Sequence, residues 1–274
     1  MVGSMKTFTK PTGAIRLEPC RYGLSRLSFR GPRRPTDGRF IAFLGASDTF
    51  AKYIPKPYPH LVETAVGEVC VNLGCQSAGP DVFLQDTAIQ SLCHDATAVV
   101  IEVMGATNLS NDFYRVHPRR NDRFIAPTRK LRALYPEVDF AEVAFTGHLI
   151  QRLQAVDPGR FLVVRQHLQN TWVERMQTLV AQASGPVFLL WFAAKSPETA
   201  ATDEGQGPHF VSRTMLEGLR PYVDDVIEAV SPAHKTAGMM FPPLEALAAM
   251  DCMGVEAHQT AAEALRVPIL HCAA

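Results

Sequence analysis

From residue 39 onward, short and nearly continuous apolar runs alternate with longer amphipathic segments. Such runs are typical of parallel strands buried on both faces, and the intervening segments of helices that cover the sheet. The pattern predicts an α/β fold, a three-layer α/β/α sandwich around a five-stranded parallel sheet. The predicted strands are 40–44, 69–73, 98–103, 187–192 and 226–230, and the predicted helices are 57–67, 81–94, 127–135, 139–155, 166–184, 209–221 and 255–265.

The start of the chain differs from the rest in charge. The whole sequence has 27 basic and 27 acidic residues, but residues 1–39 contain nine Lys or Arg against Glu18 and Asp37. We therefore expect a basic N-terminal arm over 1–38, of which 1–4 resemble an expression scar. Residues 39–274 are expected to form a single α/β domain with an arginine-rich insertion at about 109–138.

The composition of the chain argues against several classes of function. A net charge of zero argues against broad attraction to nucleic acid or anionic membranes. The six cysteines have no CxxC spacing, and the common phosphate-binding and metal-binding motifs are missing, so we expect no cofactor and no metal. No apolar run is long enough to span a membrane. We expect a cytoplasmic protein with a small-molecule substrate and without a nucleic-acid partner; a homo-oligomer stays open.

Three of the predicted strands are followed by small and polar residues. Ser47 lies in Gly45-Ala46-Ser47-Asp48, Gly74 ends Asn72-Leu73-Gly74, and Asn108 ends Gly105-Ala106-Thr107-Asn108. The carboxyl ends of parallel strands share one sheet edge, where ligands bind. A serine hydroxyl, backbone N–H groups and an amide are what acyl transfer requires there. Each segment also has a structural interpretation, as a helix cap, a tight turn or an Asx turn.

The order of these blocks, followed by a histidine in the last helix, resembles the SGNH (GDSL-type) hydrolase superfamily over about residues 40–270. The resemblance implies a flavodoxin-like sandwich and a Ser-His-Asp arrangement. It implies that Ser47 is the nucleophile and that Gly74 and Asn108 complete the oxyanion hole with the Ser47 N–H. Asn111 competes with Asn108, because Asn111-Asp112 preserves the dipeptide of the family's third block.

The catalytic base and acid stay open at this stage. The resemblance calls for Asp-x-x-His shortly before a helix, whereas Asp251 precedes His258 by seven residues. His234 follows the fifth predicted strand and so would lie at the same sheet edge. Either histidine could be the base. The acid could be Asp251 or Glu256, or it could be absent. Compared with the superfamily pattern, the C-terminal histidine block is therefore degenerate.

The insertion is rich in arginine. Arg115, Arg119, Arg120 and Arg123 precede Arg129, Lys130 and Arg132, and guanidinium groups suit phosphate, sulfate or carboxylate. The same charges could instead pair with the acidic remainder of the protein. The sequence thus predicts an SGNH-like esterase or acyl transferase acting on a small, anionic substrate. Two alternatives are a group transferase with an anionic nucleotide-type donor, such as a sulfotransferase, and a catalytically inactive SGNH-like binding protein.

Overall fold

A computed structural model describes residues 13–200, 208–232 and 236–273. Its central sheet has five parallel strands, which are β1 (Phe40–Gly45), β2 (Val69–Gly74), β3 (Ala98–Glu102), β6 (Val187–Ala193) and β7 (Asp225–Val230). Their order across the sheet is β2-β1-β3-β6-β7, and this arrangement confirms the predicted parallel sheet. Each predicted strand agrees with the observed one to within one residue at either end.

Helices cover both faces of the sheet. Successive strand residues point to opposite faces, so Ile41 and Phe43 belong to one core and Ala42 and Leu44 to the other. The first, smaller core lies beneath α2 (Tyr58–Val66) and α11 (Val255–Ala273). The larger core lies beneath α3 (Pro80–Leu84), α4 (Thr87–Asp95), α6 (Thr146–Val156), α7 (Pro158–Val180) and α9 (Arg213–Leu219). The fold is therefore the predicted three-layer sandwich.

Several helix boundaries differ from those predicted. The segment 81–94 forms two helices, because the Asp86 side chain accepts the N–H groups of Ala88 and Ile89 and so begins a new helix at α4. Helix α7 begins at Pro158, earlier than expected, because Asp157 caps it. The remaining helices are short: α1 (Ser47–Phe50), α5 (Arg129–Leu134), α8 (Pro197–Ala200) and α10 (Ala246–Met250). Among the helices of the described ranges, none is both long and apolar enough to cross a membrane.

The two basic segments are both folded onto the domain in the described ranges. The insertion contains an antiparallel hairpin, β4 (Tyr114–His117) and β5 (Arg120–Pro127). In the arm, the side chains of Tyr22 and Phe29 are buried in the larger core. Arg30 donates a hydrogen bond to the Ile54 carbonyl at 2.7 Å. Residues 1–12 of the predicted arm lie outside the described part of the chain.

Candidate active site

A cavity of about 320 Å³ opens at the carboxyl ends of β1, β3 and β6. Ligands of open α/β sheets bind at this edge. Helix α1, which follows β1 directly, contributes Ser47 and Asp48, and β3 contributes its last residue, Glu102. His209 comes from the segment before α9, and Asp251 from the link between α10 and α11. The cavity thus contains a hydroxyl, an imidazole and three carboxyl groups.

Ser47 is the first residue of α1 and is half-buried. Its Oγ accepts a hydrogen bond from the backbone N–H of Ser77 at 3.0 Å. A hydroxyl has one proton to donate and two lone pairs, so this contact leaves the proton available to a base. Ser77 has a left-handed backbone, with φ of 54°, which aims its N–H at the serine.

Asn108 is connected to Ser47 through Ser77. The Nδ2 of Asn108 donates to the Ser77 carbonyl at 3.1 Å, and its Oδ1 accepts from the Thr146 hydroxyl at 2.6 Å. These two bonds fix the orientation of the amide. Asn108 therefore holds the loop that contacts the serine.

Gly74 and Asn111 lie apart from the described lining of the cavity. The Gly74 N–H donates to Asn72 Oδ1 at 2.9 Å, and a Cβ at Gly74 would come within 2.9 Å of the Phe50 Cα. Gly74 therefore allows β2 to pack against α1. Asn111 is buried, and its Oδ1 accepts the N–H of Phe113 at 2.8 Å. Its amide thus holds the turn that enters β4.

His258 lies inside the smaller core, between the rings of Tyr58 and Phe192. Its Nδ1 accepts the Tyr58 N–H at 3.1 Å, and its Nε2 is buried without a partner in the described residues. Burial lowers the pKa of His258 to about 3, with a smaller contribution from Arg30. The imidazole is therefore neutral, and it is not among the residues that line the cavity.

A different histidine, His209, lines the cavity with Ser47. Burial lowers the pKa of this imidazole, which keeps it neutral at pH 7 and able to accept a proton. His209 was not among the predicted site residues, although it follows β6, a strand that ends at the cavity. Its place in the connection between β6 and α9 was the sequence feature that pointed to it. The other predicted base, His234, lies outside the described residues.

Two of the carboxyl groups that line the cavity accept hydrogen bonds from the backbone. Glu102 Oε2 accepts the N–H groups of Ala46 at 3.1 Å and Thr49 at 2.9 Å. Asp48 Oδ1 accepts the Met253 N–H at 2.9 Å. Burial raises the pKa of both carboxyls, and the charge of Asp48 raises that of Glu102 further. An acidic residue that ends an apolar strand was the sequence signal for Glu102.

Asp251 and the four arginines have different positions. Asp251 is exposed where it lines the cavity, and the residue three positions later is Gly254, not a histidine. None of the arginines is among the described lining residues. Arg115 donates a hydrogen bond to the Asn111 carbonyl, and Arg119 lines a separate cavity with Asp86. A terminal guanidinium nitrogen of Arg120 lies 3.9 Å from Asp122 Oδ2. The guanidinium carbon of Arg123 lies 4.7 Å from the centre of the Phe145 ring. The described chain offers no cluster of three or more metal-ligating side chains.

Comparison with known proteins returned solved structures and one family. A carbohydrate esterase family 2 enzyme with a carbohydrate binding domain, from Corynascus thermopiles (Myceliophthora fergusii), is 13% identical, with 90% of this chain and 70% of that chain covered and a TM-score of 0.44. A member of the lipolytic protein G-D-S-L family from Veillonella parvula is 10% identical, with 84% and 98% covered and a TM-score of 0.40. No curated protein matches. Residues 5–273 match the family described as a domain of unknown function, DUF6473, and the chain belongs to that family.

Proposed function

We propose that this protein is a serine hydrolase or acyl transferase in which Ser47 attacks an ester and His209 accepts its proton. One observation carries the proposal: Ser47 and His209 line the same cavity at the carboxyl edge of the sheet. The hydrogen bond that Ser47 Oγ accepts from Ser77 leaves its hydroxyl proton for the imidazole. A nucleophile and a base that share a cavity are the minimum for this chemistry.

The reaction follows from these two groups. The Ser47 Oγ forms a bond to the acyl carbon while its proton passes to His209. The protonated imidazole then gives that proton to the leaving alcohol as the ester C–O bond breaks. Water or a second alcohol attacks the acyl-enzyme with the same base and restores Ser47. Because burial keeps His209 neutral at pH 7, the base is in its active form at the start of the cycle.

The backbone N–H of Ser47 is the donor that we assign to the oxyanion. As the first residue of α1, it has no acceptor within the helix. The predicted donor Gly74 already donates its N–H to Asn72. In this proposal Asn108 acts through Ser77, because its amide donates to the Ser77 carbonyl.

The charge of the cavity favours a neutral ester as the substrate. Asp48 and Asp251 are among its lining residues, and the described lining contains no lysine or arginine. An anion would have to enter beside these carboxyls without a cation to pair with it. The arginines that suggested an anionic substrate lie elsewhere. For this reason we do not propose transfer from an anionic nucleotide.

The test uses short p-nitrophenyl esters with three variants. We expect Ser47→Ala to abolish turnover, and His209→Gln to lower kcat by about 10²- to 10⁴-fold, the usual contribution of a general base. His148→Gln, on the exposed face of α6, is the matched control and should act as wild type. Labelling of Ser47 by a fluorophosphonate should be lost in Ser47→Ala. Full turnover by Ser47→Ala would overturn the proposal, and an inert wild-type protein would favour a binding role.

A further inference from the structure

Glu102 is the last residue of β3, and the residue as a whole is only 5% exposed. It nevertheless lines the cavity that contains Ser47. Gly45, at the end of the neighbouring strand, makes room for it, since a Cβ there would collide with the Glu102 side chain. The absence of a side chain at Gly45 therefore leaves room for the Glu102 carboxyl group in the lining of the cavity.

One oxygen of Glu102 holds the turn that carries Ser47. Oε2 accepts the backbone N–H groups of Ala46 and Thr49 and also the Thr49 hydroxyl. Ala46 directly precedes Ser47, and Thr49 follows it by two residues. These bonds therefore fix the backbone on both sides of the serine.

A hydrogen-bonded chain determines which way the protons point. The Thr49 hydroxyl lies between Glu102 Oε2 and the Tyr58 hydroxyl, which is 2.7 Å away. Threonine has one hydroxyl proton. Because Thr49 gives it to Glu102, Tyr58 must donate to Thr49. Three donors thus converge on Oε2, and an acid proton on Glu102 belongs on Oε1, to which no described residue donates a hydrogen bond.

We propose that Glu102 is a further functional residue of this cavity, one that positions Ser47 through Oε2 and donates a hydrogen bond to the substrate through Oε1. The inference rests on the proposed function of Ser47. It adds a second polar contact for the bound ester, made by an uncharged carboxylic acid. A neutral ester offers oxygens that accept such a hydrogen bond.

The surroundings of Glu102 favour the protonated acid. The titratable groups that share its site are Asp48 on α1, Tyr58 on α2, His209 before α9 and Asp251 before α11. Burial and the Asp48 charge raise the pKa of Glu102, against the hydrogen bonds from Thr49 and Ala46 that lower it. Ionised Glu102 would repel the oxyanion formed at Ser47. Activity should therefore fall as Glu102 loses its proton.

Three variants test this role. Glu102→Gln keeps a carbonyl oxygen for the three donors and an amide N–H in place of the acid proton, but it cannot ionise. Glu102→Ala keeps neither group. Glu228→Gln, on β7 where Glu228 pairs with Arg213, is the matched control. The measurements are kcat/KM for p-nitrophenyl acetate against pH, thermal unfolding, and the infrared carbonyl band of a protonated carboxylic acid.

We expect wild type and Glu228→Gln to lose kcat/KM at alkaline pH, and Glu102→Gln to lack that limb while it keeps most of the activity at pH 7. Glu102→Ala should lose about 10²-fold, as when one oxyanion donor is removed. The infrared band should be present in wild type and absent in Glu102→Gln. An unchanged alkaline limb in Glu102→Gln, or no band in wild type, would overturn the inference. A band without ester turnover would refute the role of Ser47 and still establish the protonated acid.

Discussion

The backbone N–H of Ser77 donates to the Oγ of Ser47 at 3.0 Å. This bond joins the loop after β2 to the turn after β1, although the two residues are thirty positions apart. It uses only the main chain of Ser77, whose φ of 54° lies in the left-handed region that glycine adopts without strain. The orientation of the serine hydroxyl therefore depends on the shape of that loop and not on the Ser77 side chain.

We predict that Ser77→Gly keeps ester turnover within about twofold of wild type, because glycine retains the N–H and adopts the same backbone conformation. Ser77→Pro should lose turnover, because proline has no N–H and its ring fixes φ near −65°. The measurement is kcat/KM for p-nitrophenyl acetate, together with the thermal midpoint. A fully active Ser77→Pro variant would show that the contact with Ser47 is dispensable.

A second prediction concerns Gly45, where a Cβ would collide with Thr49 and Glu102. We expect Gly45→Ala to lower the free energy of unfolding by about 1–3 kcal/mol, as overpacking does, and to reduce activity by displacing Glu102. Gly218→Ala is the matched control. Gly218 lies in α9, and a Cβ added there would meet open space, so alanine should stabilise the protein by about 0.5–1 kcal/mol. Urea unfolding measures the change in the free energy of unfolding of both variants. An unchanged free energy of unfolding in Gly45→Ala would contradict the close packing of Gly45 against Thr49 and Glu102.

The sheet was predictable because its central strands β1, β3 and β6 are buried on both faces, as in the fully buried run Phe40–Gly45. A strand of this kind leaves a continuous apolar signal. The hairpin of β4 and β5 was not predicted. Only alternate residues of Tyr114–His117 are well buried, and four arginines, Arg115, Arg119, Arg120 and Arg123, dominate the composition of the segment. The arginine-rich composition thus gave no sign of the β4–β5 pairing, which depends on contacts across the turn between the two strands.

The site was predictable only in part. Ser47 and Asp251 were selected, and both line the cavity. His209 was not selected, because its approach to the cavity depends on how the segment before α9 returns to β3. Its carbonyl accepts the Ala106 N–H at 2.9 Å, a contact between distant parts of the chain that spacing does not encode. His258 was selected for its place in the last helix, and the structure buries it against the rings of Tyr58 and Phe192.

Burial of His258 should make the stability of the protein depend on pH. Its pKa falls from the ordinary value near 6.5 to about 3 on folding, so the unfolded chain binds the proton more tightly. Its contribution to stability is complete above pH 6.5 and is lost as the pH falls toward 3, at about 1.4 kcal/mol per pH unit. Asn at this position keeps an oxygen for the Tyr58 N–H but does not titrate.

We therefore expect the free energy of unfolding to fall by about 2 kcal/mol more in wild type than in His258→Asn between pH 7 and pH 5. Urea unfolding at both pH values measures the difference. The carboxyls of Asp48 and Glu102, whose pKa values are raised, act in the opposite direction, but they are present in both proteins and cancel in the comparison. Equal losses in the two proteins would show that His258 is protonated in the folded state.

The last prediction concerns Arg119 and Arg120, which lie on the hairpin and away from the described lining of the Ser47 cavity. Because both side chains are exposed, replacing both with alanine should change stability by no more than about 0.5 kcal/mol per site and leave ester kcat/KM within about twofold. An anionic nucleotide should raise the thermal midpoint of neither protein. A nucleotide-dependent rise that only wild type shows would mean that the insertion binds an anion. The basic hairpin would then be a separate ligand site that binds anions, while the Ser47 cavity takes neutral esters. The net charge of zero would then be the sum of a basic site and an acidic remainder.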